Sequence, residues 1–431
     1  MSAVSRANGD RIHHPRRHAA VRTDNYVFSQ LIPYIGNKRK LLHVIGEALD
    51  GAVPESGTFV DLFAGSTVVG RFAKKRGFRV VANDWEPYSY QIARGTIALN
   101  RSPAFDRLKL GATIDVFNHL SNLPPIDDWV SEHLCPADDD DPDPERERMF
   151  FTRSNGRRID AIRECLEKWK SDDLITDDEF SFVMSSLIYA VSYASNTSGV
   201  FKAFHHGWGG KTGTALYRIR GRLRLSPPVL HDNGANNLAV QEDAQTLAPL
   251  LPEICGDVPD VVYLDPPYNQ HPYGSNYHVL TSVALWDKPP LNPTFFVDGK
   301  KVDKSAIRKD WRTERRSAFN HAGHATEAFT RLVDSIDARH IMVSYSTDGN
   351  IPLSVLLQVL ANRGELRVVT QPYKRYRVSS PRMSERPRTV EFVATVNMRR
   401  PATPHLVGEI ADAIVNEKEG TTSDQRLPLF G

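Results

Sequence analysis

The run Val261-Val262-Tyr263-Leu264 contains no charged residue and stops at Asp265-Pro266-Pro267-Tyr268. A short apolar stretch rich in β-branched residues and closed by two prolines reads as a strand buried on both faces, the kind that parallel sheets covered by helices require. Proline cannot donate to a ladder, so the strand must end where the pair begins. A carboxylate is thereby set outside the C-terminal end of a buried strand, where open α/β sheets bind their ligands.

Two further strand ends carry residues of the same kind. Thr58-Phe59-Val60-Asp61-Leu62-Phe63-Ala64-Gly65-Ser66-Thr67-Val68-Val69-Gly70 reads as a strand that breaks at Gly65 into a helix, with small residues that let a ligand approach the backbone. It is a nucleotide-type turn without the GxGxxG spelling. The next strand, Phe78 to Ala82, ends in Asn83-Asp84. This puts Asp84 about twenty residues past the glycine turn, where such folds bind ribose hydroxyls; Glu86 is its rival. Upstream, Pro33-Tyr34-Ile35-Gly36-Asn37-Lys38 supplies an aromatic, a glycine and a lysine ahead of an amphipathic helix that continues through Val44, Ile45 and Leu49. A lysine at a helix start can bind a carboxylate.

The residue types after the buried strand suit amine chemistry on a nucleobase, and the alternative is a plain proline-stiffened turn after a core strand. The exocyclic amine of a nucleobase is a poor nucleophile because its lone pair is delocalised into the ring, and hydrogen-bond acceptors beside it restore lone-pair character. The Asp265 carboxylate and the Pro266 carbonyl are such acceptors. Two prolines fix the loop and offer no amide donor, and the Tyr268 ring can stack on a base taken out of its helix. In this order, Tyr34-x-Gly36-x-Lys38 first, the glycine turn next and Asp-Pro-Pro-Tyr late, the segments resemble the adenine-specific DNA methyltransferases of the α group.

That resemblance implies an α/β fold: a Rossmann-like S-adenosyl-L-methionine (AdoMet) methyltransferase sheet with an inserted, partly helical target-recognition region. It implies methyl transfer from AdoMet to the exocyclic amine of adenine at specific sites in duplex DNA, after base flipping. Tyr34 and Lys38 match the positions that hold the methionine end of the cofactor, and Asp61 with Gly65 matches the glycine turn. Asp84 matches the ribose acid, and Asp265, with Pro266, Pro267 and Tyr268, matches the catalytic loop beside the cofactor. Asp243, at the end of Ala239 to Ala244, matches the acid near the cofactor adenine. Ser66-Thr67 departs from the commoner FxGxG spelling. An RNA adenine or DNA cytosine-amine methyltransferase is the rival enzyme, and a catalytically inactive DNA-binding protein is the rival of another class.

Composition frames these expectations. The 431 residues suffice for one large domain with an insertion, or for two domains, and the formal charge of +2 does not by itself point to nucleic acid. Three unspaced cysteines, Cys135, Cys165 and Cys255, argue for a reducing cytoplasm, against a disulfide framework or zinc site, and against the Pro-Cys nucleophile of cytosine C5 chemistry. Neither a metal nor a membrane span is expected.

Charge is unevenly distributed. Between Gly199 and Leu225 stand Lys202, Lys211, Arg218, Arg220, Arg222 and Arg224 without an acid, interleaved with aromatics, as a duplex-contacting segment requires. Alternation with Ile219 and Leu223 predicts a strand with the arginines on one face. The stretch Ser195 to Lys202 is similar to the family's glycine-centred recognition hairpin. Lys300 to Arg316 and Lys374 to Arg388 are two further basic stretches expected at phosphates. Cys135 to Pro144 is acidic and proline-rich and reads as an exposed linker, and Ile159 to Trp169 and Phe180 to Tyr193 read as helices. Tyr273, Asn276 and Tyr277 are expected on the active-site rim.

The organisation expected is a disordered basic tail over 1–25, an AdoMet-binding part over 26–130, the acidic linker and recognition region over 131–230, the catalytic part over 231–400 and a tail over 401–431. Within that tail Gln425, Leu427, Leu429 and Phe430 resemble the QxLxLF peptide by which bacterial DNA enzymes bind the replication sliding clamp. A restriction endonuclease partner would be a separate chain.

Overall fold

The computed structural model describes residues 25–374 and 388–419, apart from 51, 52, 54 and 55. Its centre is a seven-stranded sheet built from β1 (Thr58–Asp61), β2 (Arg79–Asn83), β3 (Leu238–Val240), β4 (Val261–Leu264), β7 (His340–Ser346), β8 (Glu365–Lys374) and β9 (Arg388–Asn397). A separate two-stranded hairpin joins β5 (Phe296–Val297) to β6 (Lys300–Lys301). The order across the sheet is β3-β2-β1-β4-β7-β9-β8. The first five strands are parallel, and β9 runs antiparallel to both of its neighbours.

The chain therefore steps outward from β1 to β3 and then crosses back to β4, which makes the gap between β1 and β4 the topological switch point. Register decides what faces that gap. Asp61 lies level with Ala82 of β2 and Tyr263 of β4, so Asp84 and Asp265 each follow two positions beyond the pairing.

Strand residues alternate between two cores, as a sheet covered on both faces demands. Phe59, Val80 and Tyr263 pack with the helices Leu42–Asp50 and Val68–Lys75, whereas Val60, Val81 and Val262 pack with Ala322–Ser335, Leu353–Ala361 and Val407–Glu419. A third core joins the insertion to the cleft side of the sheet. There the helices Arg153–Ser171 and Asp177–Ala194 pack with Pro87–Ala93 and His278–Leu285 through Ile162, Leu166, Val183, Leu187, Ile92 and Leu280. Both expected insertion helices are present and start at threonine caps; Thr176 and Glu179 form a reciprocal capping box.

The acidic stretch is no free linker. The Asp139 carboxylate accepts from the amides of Arg153 (2.5 Å) and Ser154 (3.1 Å), which supplies the unsatisfied donors of a helix start with an anion. Its carbonyl accepts from Trp208 Nε1 (2.9 Å), and Asp140 pairs with Arg220.

Arg218 to Arg224 is not a strand either. Leu216–Ile219 is a helical turn, and 221–230 run without a sheet partner. Side chains replace the missing ladder: Asn155 donates to the carbonyls of Ile219 and Gly221 and accepts from Leu223 N, while Ser121 and Ser186 accept from Leu225 and Ser226. The alternation of burial survives, because Ile219, Leu223 and Leu225 are buried and the residues between them are not. Gly199 sits in a bend (φ +100°) where its amide donates to Thr197 Oγ1 (3.2 Å), with no hairpin strands beside it among the described residues.

No helix among the described residues is long and apolar enough to cross a membrane. The basic tail over 1–24, most of Lys374 to Arg388, and the Gln425 to Phe430 motif lie outside the described residues.

Candidate active site

The C-terminal ends of β1, β2, β3 and β4 open into a cleft. Tyr34, Lys38, Asp61, Gly65, Asp84, Asp243, Asp265 and Pro267 all line it. These residues are spread over more than half of the sequence and meet because parallel strands bring their C-terminal ends to one edge.

The glycine turn is held from within. Gly65 has φ +47°, and a Cβ there would come within 2.7 Å of the Tyr34 ring. Both constraints demand glycine. Asp84 locks the same turn: its carboxylate accepts from Gly65 N (2.7 Å), Ser89 Oγ (2.9 Å) and Glu86 N (3.0 Å). Burial raises the Asp84 pKa, and those donors offset part of the shift. Asp243 caps the turn after β3, accepting from Gln245 N and Thr246 N at the cleft wall.

Two acids of the cleft are short of partners. Among the described residues neither Asp61 oxygen has a well-formed hydrogen bond, although the nearby amides of Gly70 and Phe63 pull its pKa down; burial, with Asp265 and Asp84 adding to it, outweighs them and pushes this carboxyl up to about 8. Glu86 is buried beside Asp84, with Thr281 Oγ1 at 3.5 Å and Arg315 Nε at 4.0 Å, and burial, which Arg315 offsets in part, likewise pushes it up to about 8. The rival acid therefore shares the cleft with Asp84, and both are present for a ligand rich in hydrogen-bond donors.

Lys38 Nζ lies 3.0 Å from Asp265 Oδ1 and over the Tyr268 ring, 5.1 Å from its centroid. The lysine is 4% exposed and the aspartate 17%. Burial pushes Asp265 up to about 6; Lys38 pulls it down, and Glu391 of β9 raises it. Burial would lower Lys38, but Asp265, with Tyr268 and Glu391 behind it, turns the balance upward. Here Lys38 is the counter-ion of the catalytic-loop acid. Tyr268 packs edge-on against Tyr345 (6.0 Å, 74°), and its carbonyl accepts from Asn350 N.

The Tyr34–Lys38 loop owes its position to aromatics. The Tyr34 ring stacks on Tyr277 (4.8 Å) and Tyr273 (5.0 Å). Tyr277 Oη accepts from Ile35 N (2.7 Å), and Tyr273 Oη donates to Ile35 O (2.9 Å). Each stacked pair contributes roughly 0.5–1.5 kcal/mol beyond area burial. Tyr277 and Asn276 are fully buried and so do not form a rim, contrary to the expectation; Tyr273 lines the cleft. Glu86 was visible in the sequence as the rival of Asp84. Phe319, which meets Phe63 edge-on at 5.7 Å, and Glu391 carried no local signal.

The basic segment does not converge in this way. Arg218 donates to the carbonyls of Tyr193 and Ser195, Arg220 pairs with Asp140, and Arg222 donates to Ser121 O and to Asn122. Lys202 is half-buried, which lowers its pKa. Lys211 and Arg224 are exposed and have no carboxylate partner among the described residues. None of the six lines the cleft.

A mostly parallel seven-stranded α/β sheet with a glycine turn, a locked strand-end acid and a partly buried Asp-Pro-Pro-Tyr loop at one cleft has the architecture of an AdoMet-type methyltransferase. Residues 34–346 match the model of the family described as D12 class N6 adenine-specific DNA methyltransferase, and the chain belongs to that family. It is 31% identical to the type II methyltransferase M.FokI of Planomicrobium okeanokoites over 80% of this chain and 49% of that protein. It is equally similar to the modification methylase StsI of Streptococcus sanguinis, over 80% of this chain and 48% of that one. Against the type II methyltransferase M.NlaIII of Neisseria lactamica it is 30% identical over 80% and 92%. The chain thus spans about half the length of the FokI and StsI relatives and nearly all of the NlaIII relative.

Proposed function

We propose that this chain transfers a methyl group from AdoMet to the exocyclic amine of adenine in duplex DNA. The observation that carries the reading is the partly buried Asp265, held by Lys38 in a cleft that the Gly65 turn also lines. The cleft fits the cofactor on its own terms. Asp61 is a buried acid whose oxygens have no well-formed hydrogen bond among the described residues, suited to an ammonium donor, and Gly65 is kept bare beneath the Tyr34 ring. Tyr34, Lys38 and Asp61 would hold the methionine end, Asp84 and Glu86 the ribose, and Asp243 the neighbourhood of the adenine.

The cofactor supplies an electrophilic methyl group on a sulfonium. The protein positions and polarises the acceptor. With the target base flipped out, at a cost of a few kcal/mol, Tyr268 stacks on it, and Asp265 and the Pro266 carbonyl accept from its amine. The amine nitrogen gains lone-pair character, and Asp265 must be ionised to provide it. Lys38 serves that end by pulling the Asp265 pKa down.

The test is transfer of labelled methyl to mixed-sequence duplex DNA, with the product digested to nucleosides. Label is expected in 6-methyladenine and is expected to fall by about 10²–10⁴-fold in Asp265→Ala. Label in cytosine would move the acceptor, and no label despite cofactor binding would point to RNA or to a binding protein without catalysis.

A cytoplasmic location and a separate restriction endonuclease are proposals that lean on the type II names of the relatives. Docking of Gln425, Leu427, Leu429 and Phe430 on a sliding clamp is a further one. It fails if a tail peptide does not bind purified clamp.

A further inference from the structure

A second cleft, of about 370 Å³, adjoins the first and shares Ser317 with it. It begins on the catalytic loop itself, at Gln270 and Pro272, and its other wall is Trp311, Arg312, Arg316 and His321. The two walls are fastened together. Asn320 Nδ2 donates to Asn269 O (2.7 Å), Asn350 joins Phe319 O to Tyr268 O, and Trp311 packs against Gly274 so closely that a Cβ there would meet its Cβ at 2.8 Å.

Its charge is one-sided. Within the basic stretch Lys300 to Arg316, Arg308 is tied to Asp287 and Asp310, and Arg315 to Asp310 and Glu86. Arg312 and Arg316 are different: both line the cleft, both are exposed, and neither has a carboxylate partner among the described residues. Arg312 lies over the Trp311 ring (5.5 Å), and Arg316 Nε faces His321 Nε2 (3.2 Å). No acid lines this cleft. The Trp311 Nε1 donor is buried with no protein acceptor. Two free guanidiniums, an indole and an amide side chain around a space of this size suit a nucleotide whose phosphate remains in the chain.

We propose that this second cleft seats the nucleotide next to the target adenine on the same DNA strand, with Arg312 and Arg316 on its phosphodiester. The inference rests on the methyltransferase reading. It adds that the DNA strand is gripped from the catalytic-loop side by the Trp311–His321 segment, so the flipped base is positioned through its own backbone. The two arginines would carry the phosphate, which bears no sequence information of its own.

The experiment uses the full chain and a duplex in which the methylated adenine has been mapped by sequencing. Duplexes carrying a single neutral methylphosphonate at successive linkages around that adenine are titrated against wild type and Arg312→Gln/Arg316→Gln. Wild type is expected to lose about tenfold in affinity at one linkage adjoining the target. The double variant is expected to bind unmodified DNA about that much more weakly, to be indifferent to that linkage, and to lose roughly 1–2 units from its salt slope. Its cofactor affinity and melting temperature are expected to be unchanged. A variant that keeps the wild-type linkage profile and salt slope overturns the assignment while the labelled-methyl assay still supports the enzyme. Wild type that neither binds nor methylates duplex DNA overturns both.

Discussion

The cofactor cleft and the basic segment Gly199 to Leu225 were equally conspicuous as sequence, yet the fold treats them in opposite ways. In the cleft, residues from Tyr34 to Asp265 meet within one space. In the segment, six neighbouring cations disperse, and three of them, Arg218, Arg220 and Arg222, go to carbonyls, Asn122 and Asp140. The difference is one of scaffolding. A residue just beyond a buried parallel strand is placed by the register of the sheet, whereas a cation on a loop goes to whichever acceptor is near. Strand-end acids can therefore be assigned from sequence with some security, and runs of arginine cannot.

The comparison breaks first at Lys38. If the cleft is a pre-set electrostatic site, the methylation rate of wild type falls as pH drops through about 6, because Asp265 must lose its proton to accept from the amine. Lys38→Gln removes the cation that lowers Asp265, so the acid limb moves up and the rate at pH 7 falls by at least about tenfold. A pH–rate profile of kcat checks this. An unshifted limb would mean that the observed pair does not tune the acid.

Asp61 gives a smaller and more specific effect. The folded protein holds the Asp61 proton up to about pH 8, far above its ordinary range near 3.8. The native state therefore binds more protons than the unfolded state across that interval, and this group's contribution to stability declines as pH rises through it. Asp61→Asn is expected to melt a few degrees higher than wild type at pH 8 and at the same temperature near pH 4, while binding AdoMet more weakly. Melting curves at the two pH values, with cofactor titration, decide it. Equal melting at both would remove the buried-acid account.

The basic segment gives the smallest effects. Arg220 already has Asp140, and an exposed pair of this kind is worth about 0–1 kcal/mol. Arg220→Gln is expected to change DNA affinity by less than about threefold, while Arg224→Gln is expected to weaken binding and reduce the salt slope by about one unit. Arg222 and Arg224 both lie close enough to Arg158 to lower its pKa alongside burial, and Arg224 has no carboxylate partner among the described residues, whereas Arg220 is already paired with Asp140. Equal slopes for the two variants would show that local pairing does not sort the arginines.

Much of the site was legible because its signals are local. An apolar run, a break and an acid state both the strand and its end, and a glycine turn followed by a helix states where a ligand can approach. The failures came where satisfaction of the backbone is a tertiary matter. Arg218 to Arg224 has the alternation of a strand, but Asn155, Ser121 and Ser186 supply the hydrogen bonds that a neighbouring strand would have supplied. The acidic stretch has the composition of a linker, yet Asp139 is needed at the start of the helix Arg153–Ser171.

The sequence by itself determined the parallel sheet, the chemistry of the residues at the ends of β1, β2 and β4, and the presence of the insertion helices, because strand burial and helix periodicity act over a few residues. Only the tertiary structure decided that Lys38 faces Asp265, that Tyr273 and Tyr277 hold the Tyr34 loop, that Glu391 adds charge from β9, and that Arg312 and Arg316 remain free beside the catalytic loop. Those pairings join segments far apart in the chain, and which cation meets which anion depends on distance in space, on which sequence spacing is silent.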